Sequence, residues 1–306
     1  MPSVLSFAGV LGRQTVDFDR SLDVGAGREI WLSPLVSRVL APNPGPFTFK
    51  GTGVHIVGAG SKVAVIDPGP DLPAHLMALK QMLGSRVVSH ILVTHTHRDH
   101  SPAAAMLKAW SGAKTYGLPL ASTVTAGEGM VDEAHDHDFV PDVRIENGMC
   151  ITGDGFTLEC IRTPGHTANH ICYALKEEGA LFSGDHVMGW STSVIAPPDG
   201  NMGQYLASLE KLRRRDERIF YPTHGSPITD PKDWLSQLIA HRRLRERQIV
   251  EAMRGGDGDI AGLVDRLYPD IAPTLRGAAS QQVRAHLDHL IEQGAVTRDG
   301  DSYSLK

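Results

Sequence analysis

The run Thr94-His95-Thr96-His97-Arg98-Asp99-His100 brings three imidazoles and a carboxylate into one short stretch, directly after the apolar segment 87–93. A loop that leaves a strand and enters a helix can turn alternate residues to one side. This spacing can therefore feed two adjacent metal ions, His95 and His97 serving one and Asp99 and His100 the other. Imidazole nitrogen and carboxylate oxygen suit zinc best, with iron and manganese as the other candidates. A bare H-x-H is often a solvated turn, but the complete H-x-H-x-D-H behind an apolar strand disfavours that account. Three more residues stand where apolar runs end: His166 in Thr163-Pro164-Gly165-His166-Thr167, Asp185 in Ser183-Gly184-Asp185, and His224 in Tyr221-Pro222-Thr223-His224-Gly225. Each alone would pass for a cap or turn residue. Their shared setting next to glycine, which permits the tight turn that aims a side chain inward, marks them as ligand candidates.

Other residues read as support. Asp67, before Pro68-Gly69 at a strand end, is placed to accept hydrogen bonds from the ligand loop and fix a histidine tautomer. His170 reads as a core or supporting histidine. His135 and His137, in an acidic segment, read as a solvated loop near the site entrance, not a third metal site. The polar, proline-broken segment 190–205, with Ser191, Ser193, Asp199, Asn201 and Tyr205, is expected to overhang the site and touch substrate.

The elements that must carry these residues are visible as apolar runs at 31–39, 54–57, 63–66, 87–93, 156–161, 171–175, 180–182 and 219–221. Helical spacing at 72–83 and 102–110 is interleaved with them, and Ser101-Pro102 gives the second helix a serine cap with proline at its first position. Strands alternating with helices predict a layered α/β domain. After Gly225 the texture changes to a long charged helix over 234–253, a Gly255-Gly256 break, helices at 260–268 and 278–293, and a hairpin of 295–298 with 302–305 joined at Asp299-Gly300. A boundary near 230 divides the chain into 1–230 and a small winged-helix-like 231–306.

The chain has 306 residues, 41% apolar and 21% charged, with a net charge of −5. That balance gives no global attraction for polyanions. No apolar run reaches the ~20 residues of a membrane span. Residues 1–12 lack a basic start, so no secretory signal is read there and the cytoplasm is the expected compartment. Cys150, Cys160 and Cys172 contain no C-x-x-C and are expected to be buried, reduced thiols.

The ordered motif set, preceded by Asp67-Pro68-Gly69, resembles the metallo-β-lactamase superfamily over about residues 30–225. The resemblance implies an αββα sandwich. It also implies that His95, His97 and His166 hold a first metal, Asp99, His100 and His224 a second, and that Asp185 bridges both. A bridging hydroxide would then be the nucleophile, with Asp99 as catalytic residue orienting it and shuttling the proton. Within the superfamily, the Thr-His-x-His-Arg-Asp-His-Ser form, the segment Tyr205-Leu206-Ala207-Ser208-Leu209 and the C-terminal winged helix resemble the beta-lactamase-like protein 2 group, whose animal members are endoribonucleases. Hydrolysis of single-stranded RNA is the function this resemblance favours. The alternatives are a small acyl hydrolase acting on a thioester, lactone or β-lactam, similar to glyoxalase II, and a winged-helix regulator with a non-catalytic sensor. A single-iron persulfide dioxygenase is disfavoured by the complete second ligand set. Residues 241–306 hold Lys plus Arg and Asp plus Glu in equal number, and the helix 278–293 has only Arg284 as a fixed cation. Duplex DNA is therefore not an expected partner, no membrane partner is expected, and a homodimer is compatible. The cluster Arg242, Arg243, Arg245 and Arg247 reads as a solvated or interdomain face.

Overall fold

The computed structural model describes residues 16–22, 24–120, 135–256 and 258–306. Residues 1–12, read above for a leader, lie outside the described residues. Strands β1 (Ile30–Trp31), β2 (Val36–Leu40), β3 (Gly53–Val57), β4 (Lys62–Ile66), β5 (Val87–Leu92), β6 (Lys114–Gly117) and β7 (Val143–Arg144) lie in sequential order in one sheet. It begins as an antiparallel meander and becomes parallel from β4 onward. Helices α1 (Pro73–Leu83) and α2 (Ala103–Ser111) make the crossovers that parallel pairing requires. A second sheet has the order β12-β11-β10-β9-β8. Its strands are β8 (Cys150–Thr152), β9 (Thr157–Arg162), β10 (Ile171–Leu175), β11 (Ala180–Gly184) and β12 (Ile219–Pro222). Helix α3 (Met202–Arg213) crosses between the parallel strands β11 and β12.

Three apolar clusters explain the layering. Val36, Val57, Ile66, Phe156, Tyr173 and Phe182 fill the space between the sheets. Val63, Val65, Ile91, Leu79 and Leu107 seal α1 and α2 onto the first sheet. Cys172, Leu181, Phe220, Leu209 and Leu235 seal α3 and the long helix α4 (Pro231–Arg254) onto the second. Every residue of β2, β3, β10 and β11 is buried, as strands covered on both faces must be. Each fully buried leucine contributes about 1.5–3 kcal/mol. The expected αββα sandwich is what forms.

A fourth cluster joins the end of α4 to the winged helix through Ile249, Met253, Leu263, Val283, Leu287, Val296 and Tyr303. The winged helix comprises α5 (Ile260–Leu267), a 3-10 turn at Pro273–Leu275, α6 (Arg276–Glu292) and the hairpin β13 (Val296–Asp299) with β14 (Ser302–Leu305). Helix α4 thus belongs to two cores: Leu235, Leu238 and Ile239 pack on the sandwich, Ile249 and Met253 on the winged helix. No helix among the described residues is long and apolar enough to cross a membrane.

Several local readings change. The apolar run 31–39 is two strands, because Pro34 offers no N–H to a ladder and the chain turns there, Leu32 N donating to Val36 O at 2.8 Å. Ser101 does not cap α2: its hydroxyl donates to Asp136 Oδ2 at 2.6 Å. Helix α6 begins at Arg276, since the 3-10 turn runs straight into it. The hairpin turn is Gly300-Asp301, as Asp299 is already paired with Ser302. Cys150 is exposed, while Cys160 and Cys172 are buried free thiols, each pushed up to about 12 by burial.

Candidate metal centre

Every ligand candidate leaves the same edge of the sandwich. β4 ends at Asp67, β5 delivers His95 to His100, the turn after β9 delivers His166, β11 ends at Asp185 and β12 at His224. Gly165 and Gly184 adopt φ of 142° and 53°, and an added Cβ would strike Tyr205 backbone at 2.3 Å and His170 Nε2 at 2.5 Å. Glycine is therefore required at both turns.

The seven side chains form two adjoining groups. On one side His95 Nε2 lies 2.8 Å, and His166 Nε2 3.2 Å, from His97 Nδ1. On the other, Asp99 Oδ2 lies 3.2 Å from His100 Nε2 and 3.1 Å from His224 Nε2. Asp185 stands between: Oδ1 is 3.5 Å from His100 Nε2 and 3.4 Å from His224 Nε2, and Oδ2 is 4.0 Å from His166 Nε2. Three groupings, His95/His97/His166, His95/His100/Asp185 and Asp99/His100/His224, each keep their ligand atoms within 4.8 Å of one another. Three imidazole nitrogens aimed at one point cannot all be satisfied by hydrogen bonds among themselves. His100 Nε2 and Asp185 Oδ1 are buried without a hydrogen-bond partner. Lone pairs left over in a dry site are what a cation would satisfy, so the donor set fits divalent metal.

The back of three rings is held by a distant partner. His100 Nδ1 is 2.9 Å from Asp67 Oδ2, His166 Nδ1 is 2.6 Å from Val194 O, and His224 Nδ1 is 3.2 Å from Gly51 O. These contacts fix which nitrogen faces inward. Asp67 lies outside both groups. Fully buried and at φ 49°, it accepts from Thr94 N at 2.7 Å, Thr94 Oγ1 at 2.8 Å and Thr223 Oγ1 at 3.1 Å as well as from His100.

The two groups differ in charge. Burial, then the neighbouring imidazoles, holds His95 and His97 well below the usual histidine range, and burial lowers His166. These rings are neutral. Burial opposes protonation of His100 and His224 too, but Asp99 and Asp185 overcome it, holding His100 well above its usual range and His224 at about 10. A cation entering the second group must displace those protons, whereas the first group has none to give up near neutrality. Apparent affinity at the second group should therefore fall on acidification, by roughly tenfold per pH unit for each proton displaced. Calorimetric Zn2+ titrations at pH 6 and pH 8 check this; equal affinities and no proton release would refute it.

Some supporting residues were not legible beforehand. Thr52 Oγ1 donates to Asp99 Oδ2 at 2.9 Å, and Asn169 Nδ2 to Thr96 Oγ1 at 2.9 Å. Backbone carbonyls at Val194 and Gly51 carry no side-chain signal. His135 departs from its reading as a solvated residue. It pairs with His97 in an isolated bridge, its ring lies 4.8 Å from that of His97, and its side chain is 16% exposed. His137 is exposed. Within the segment 190–205, Tyr205 is wholly buried and Asn201 caps α3 by accepting from Gln204 N at 2.8 Å.

Residues 50–224, more than half the chain, match the model of the metallo-beta-lactamase superfamily. The chain belongs to this superfamily. Residues 260–304 match the beta-lactamase associated winged helix domain, and the chain carries both units. Beta-lactamase-like protein 2 homolog from Caenorhabditis elegans is 31% identical over 284 residues, 87% of each chain. An atrochrysone carboxyl ACP thioesterase from Paecilomyces divaricatus is 33% identical over 239 residues, 76% of this chain and 69% of the relative. The fold is shared with a crystal structure of a metallo-beta-lactamase family protein from Thermus thermophilus, with a TM-score of 0.75 and 22% identity, covering 90% of this chain and all of that one. The protein is thus a metallo-β-lactamase superfamily hydrolase, whose His/Asp cluster points to divalent metal as cofactor.

Proposed function

We propose that the protein hydrolyses a small acyl substrate, a thioester first among them, at a two-metal centre that takes zinc. The observation that carries the substrate class is the ion pairing of seven arginines, while Arg98 in the ligand loop and Arg144, Arg162, Arg214 and Arg247 have no carboxylate partner among the described residues. Arg213 and Arg243 pair with Glu210, Arg215 with Glu159 and Glu217, Arg254 with Glu251, Arg276 with Asp265, Arg284 with Asp288 and Arg298 with Asp301. A phosphate backbone would have to displace these carboxylates. A neutral acyl group makes no such demand, and the similarity to a protein named as an ACP thioesterase points the same way.

Bound divalent cations lower the pKa of a water molecule and stabilise an oxyanion, at the position the seven side chains surround. Hydrolysis of a thioester there would add a water oxygen to the acyl carbon, break the carbon–sulfur bond and release a carboxylate and a thiol. His95, His97 and His166 would hold one cation, Asp99, His100 and His224 the other, with Asp185 between. Asp99 is the candidate for proton transfer. Its side chain is 22% exposed, against 8% for Asp185, 0% for His100 and 1% for His224, so its carboxylate is the one most open to proton exchange with solvent. The Phe49 and Trp190 rings stack with centroids 4.8 Å apart, and Trp190 is buried against Gly225, next to His224.

Single-stranded RNA cleavage is the second reading, favoured by likeness to the beta-lactamase-like protein 2 homolog over both units of the chain. Free thiols fit a cytoplasmic setting. Zn2+-loaded protein should turn over an acyl-coenzyme A or acyl-N-acetylcysteamine thioester and leave a single-stranded RNA oligonucleotide intact. Cleavage of the RNA with no thioester turnover would reverse the order of the two readings.

A further inference from the structure

Arg242 lies on α4, in the stretch that reads as a solvated basic face, yet it is only 2% exposed. Its guanidinium donates to Ser193 O at 2.5 Å and stacks 5.2 Å from the Tyr205 ring centroid. Its Nε is buried without a partner. No carboxylate pairs with it among the described residues, so its burial is costly, and a methionine would pack on Tyr205 without that cost.

The peptide it grips joins two residues that each address a metal-ligand candidate. Ser193 Oγ donates to the backbone oxygens of Asp185 at 2.5 Å and His186 at 3.0 Å. Val194 O, on the other side of that peptide bond, accepts from His166 Nδ1 at 2.6 Å. The following residue is tied to the winged helix, Ile195 N donating to Gln282 Oε1 of α6 at 3.3 Å. We infer that Arg242 is a positioning residue: by fixing the 193–194 peptide it sets the Val194 carbonyl that orients His166, and so makes metal binding depend on α4. The inference rests on His95, His97 and His166 being metal ligands. It turns an apparently surface-facing arginine into a link between the C-terminal helices and the ligand turn.

Arg245, one turn along α4, is the natural control. It is 8% exposed and lies 4.5 Å from the Tyr268 ring centroid, on the winged-helix side and away from Ser193. The test loads full-length wild type, Arg242→Met, Arg242→Lys and Arg245→Met with Co2+. Affinity is read by chelator competition, ligand geometry by the visible Co2+ bands, and folding by circular dichroism and Tm. Both methionine variants should stay folded, with Tm reporting any general loosening. Only Arg242→Met should weaken Co2+ binding, by about 10–100-fold, and shift the bands. Arg242→Lys, which keeps charge but loses the fork, should fall between. A folded Arg242→Met with wild-type affinity and bands overturns the inference, as does an equal loss in Arg245→Met. If Arg242→Met does not fold, wild-type behaviour of Arg242→Lys overturns it. Failure of the wild type to bind Co2+ at all rejects the metal-centre reading itself.

Discussion

Asp185→Asn is expected to lose most of its bound divalent metal and its hydrolytic rate by about 1000-fold or more, beyond the roughly 10–100-fold typical of losing a supporting partner. The reason is its place between the groups, 3.5 Å and 3.4 Å from His100 and His224 through Oδ1 and 4.0 Å from His166 through Oδ2. An amide cannot supply a charged oxygen to both sides. The metal-free variant should also show a change of its own. With one of the two carboxylates gone, His224 should titrate below its wild-type value of about 10. Metal analysis, steady-state kinetics and NMR titration of the histidines read the three effects separately. Wild-type metal content and rate in the variant would dismiss Asp185 as a shared ligand.

Asp67→Asn should be nearly as severe although Asp67 belongs to neither group. Its Oδ1 accepts from Thr94 N, and its Oδ2 from Thr94 Oγ1, Thr223 Oγ1 and His100 Nδ1. An asparagine places an NH2 against N–H groups whichever way it is turned. With the NH2 toward His100, the ring must accept at Nδ1 and carry its proton on Nε2, the nitrogen that faces Asp99 and Asp185. The second group then loses a lone pair. Metal affinity should fall about 10–100-fold, and stability by about 3–5 kcal/mol, the cost of removing one partner of a buried charge. The tautomer of His100, read from long-range 15N couplings, separates this cause from general loosening. An unchanged Nε2-inward lone pair with normal metal content would defeat the argument.

The substrate question turns on residues that no motif describes. In sequence, Arg242, Arg243, Arg245 and Arg247 form one basic cluster. In the folded chain it is divided. Arg242 and Arg245 face the interior, while Arg243 pairs with Glu210 from α3 at 3.4 Å. A helix surface turns about 100° per residue, so neighbours in sequence point to different surroundings. Of the four, Arg247 stays exposed without a carboxylate partner among the described residues, so the cluster makes no continuous basic face, and this weighs toward an acyl substrate.

The sequence by itself determined the sandwich and the winged helix and marked the seven side chains that the fold gathers at one edge, because these are local facts. An apolar run followed by a Gly-flanked His or Asp specifies a strand and the turn at its end, and such a turn needs no distant partner to be recognised. The short polar strands β6 and β8 escaped notice, since Lys114, Thr115 and Thr152 give no apolar period. Asp67 was legible as a residue that fixes a tautomer, but only tertiary structure showed that it holds His100 and that Val194 O and Gly51 O, 28 and 173 residues away in sequence, hold His166 and His224. Tertiary structure decided as well that His135 docks against His97 and that Arg242 is buried on Ser193. Carbonyl acceptors are common to all residues, so their selection leaves no trace in residue type. Only packing brings the chosen one within hydrogen-bond reach.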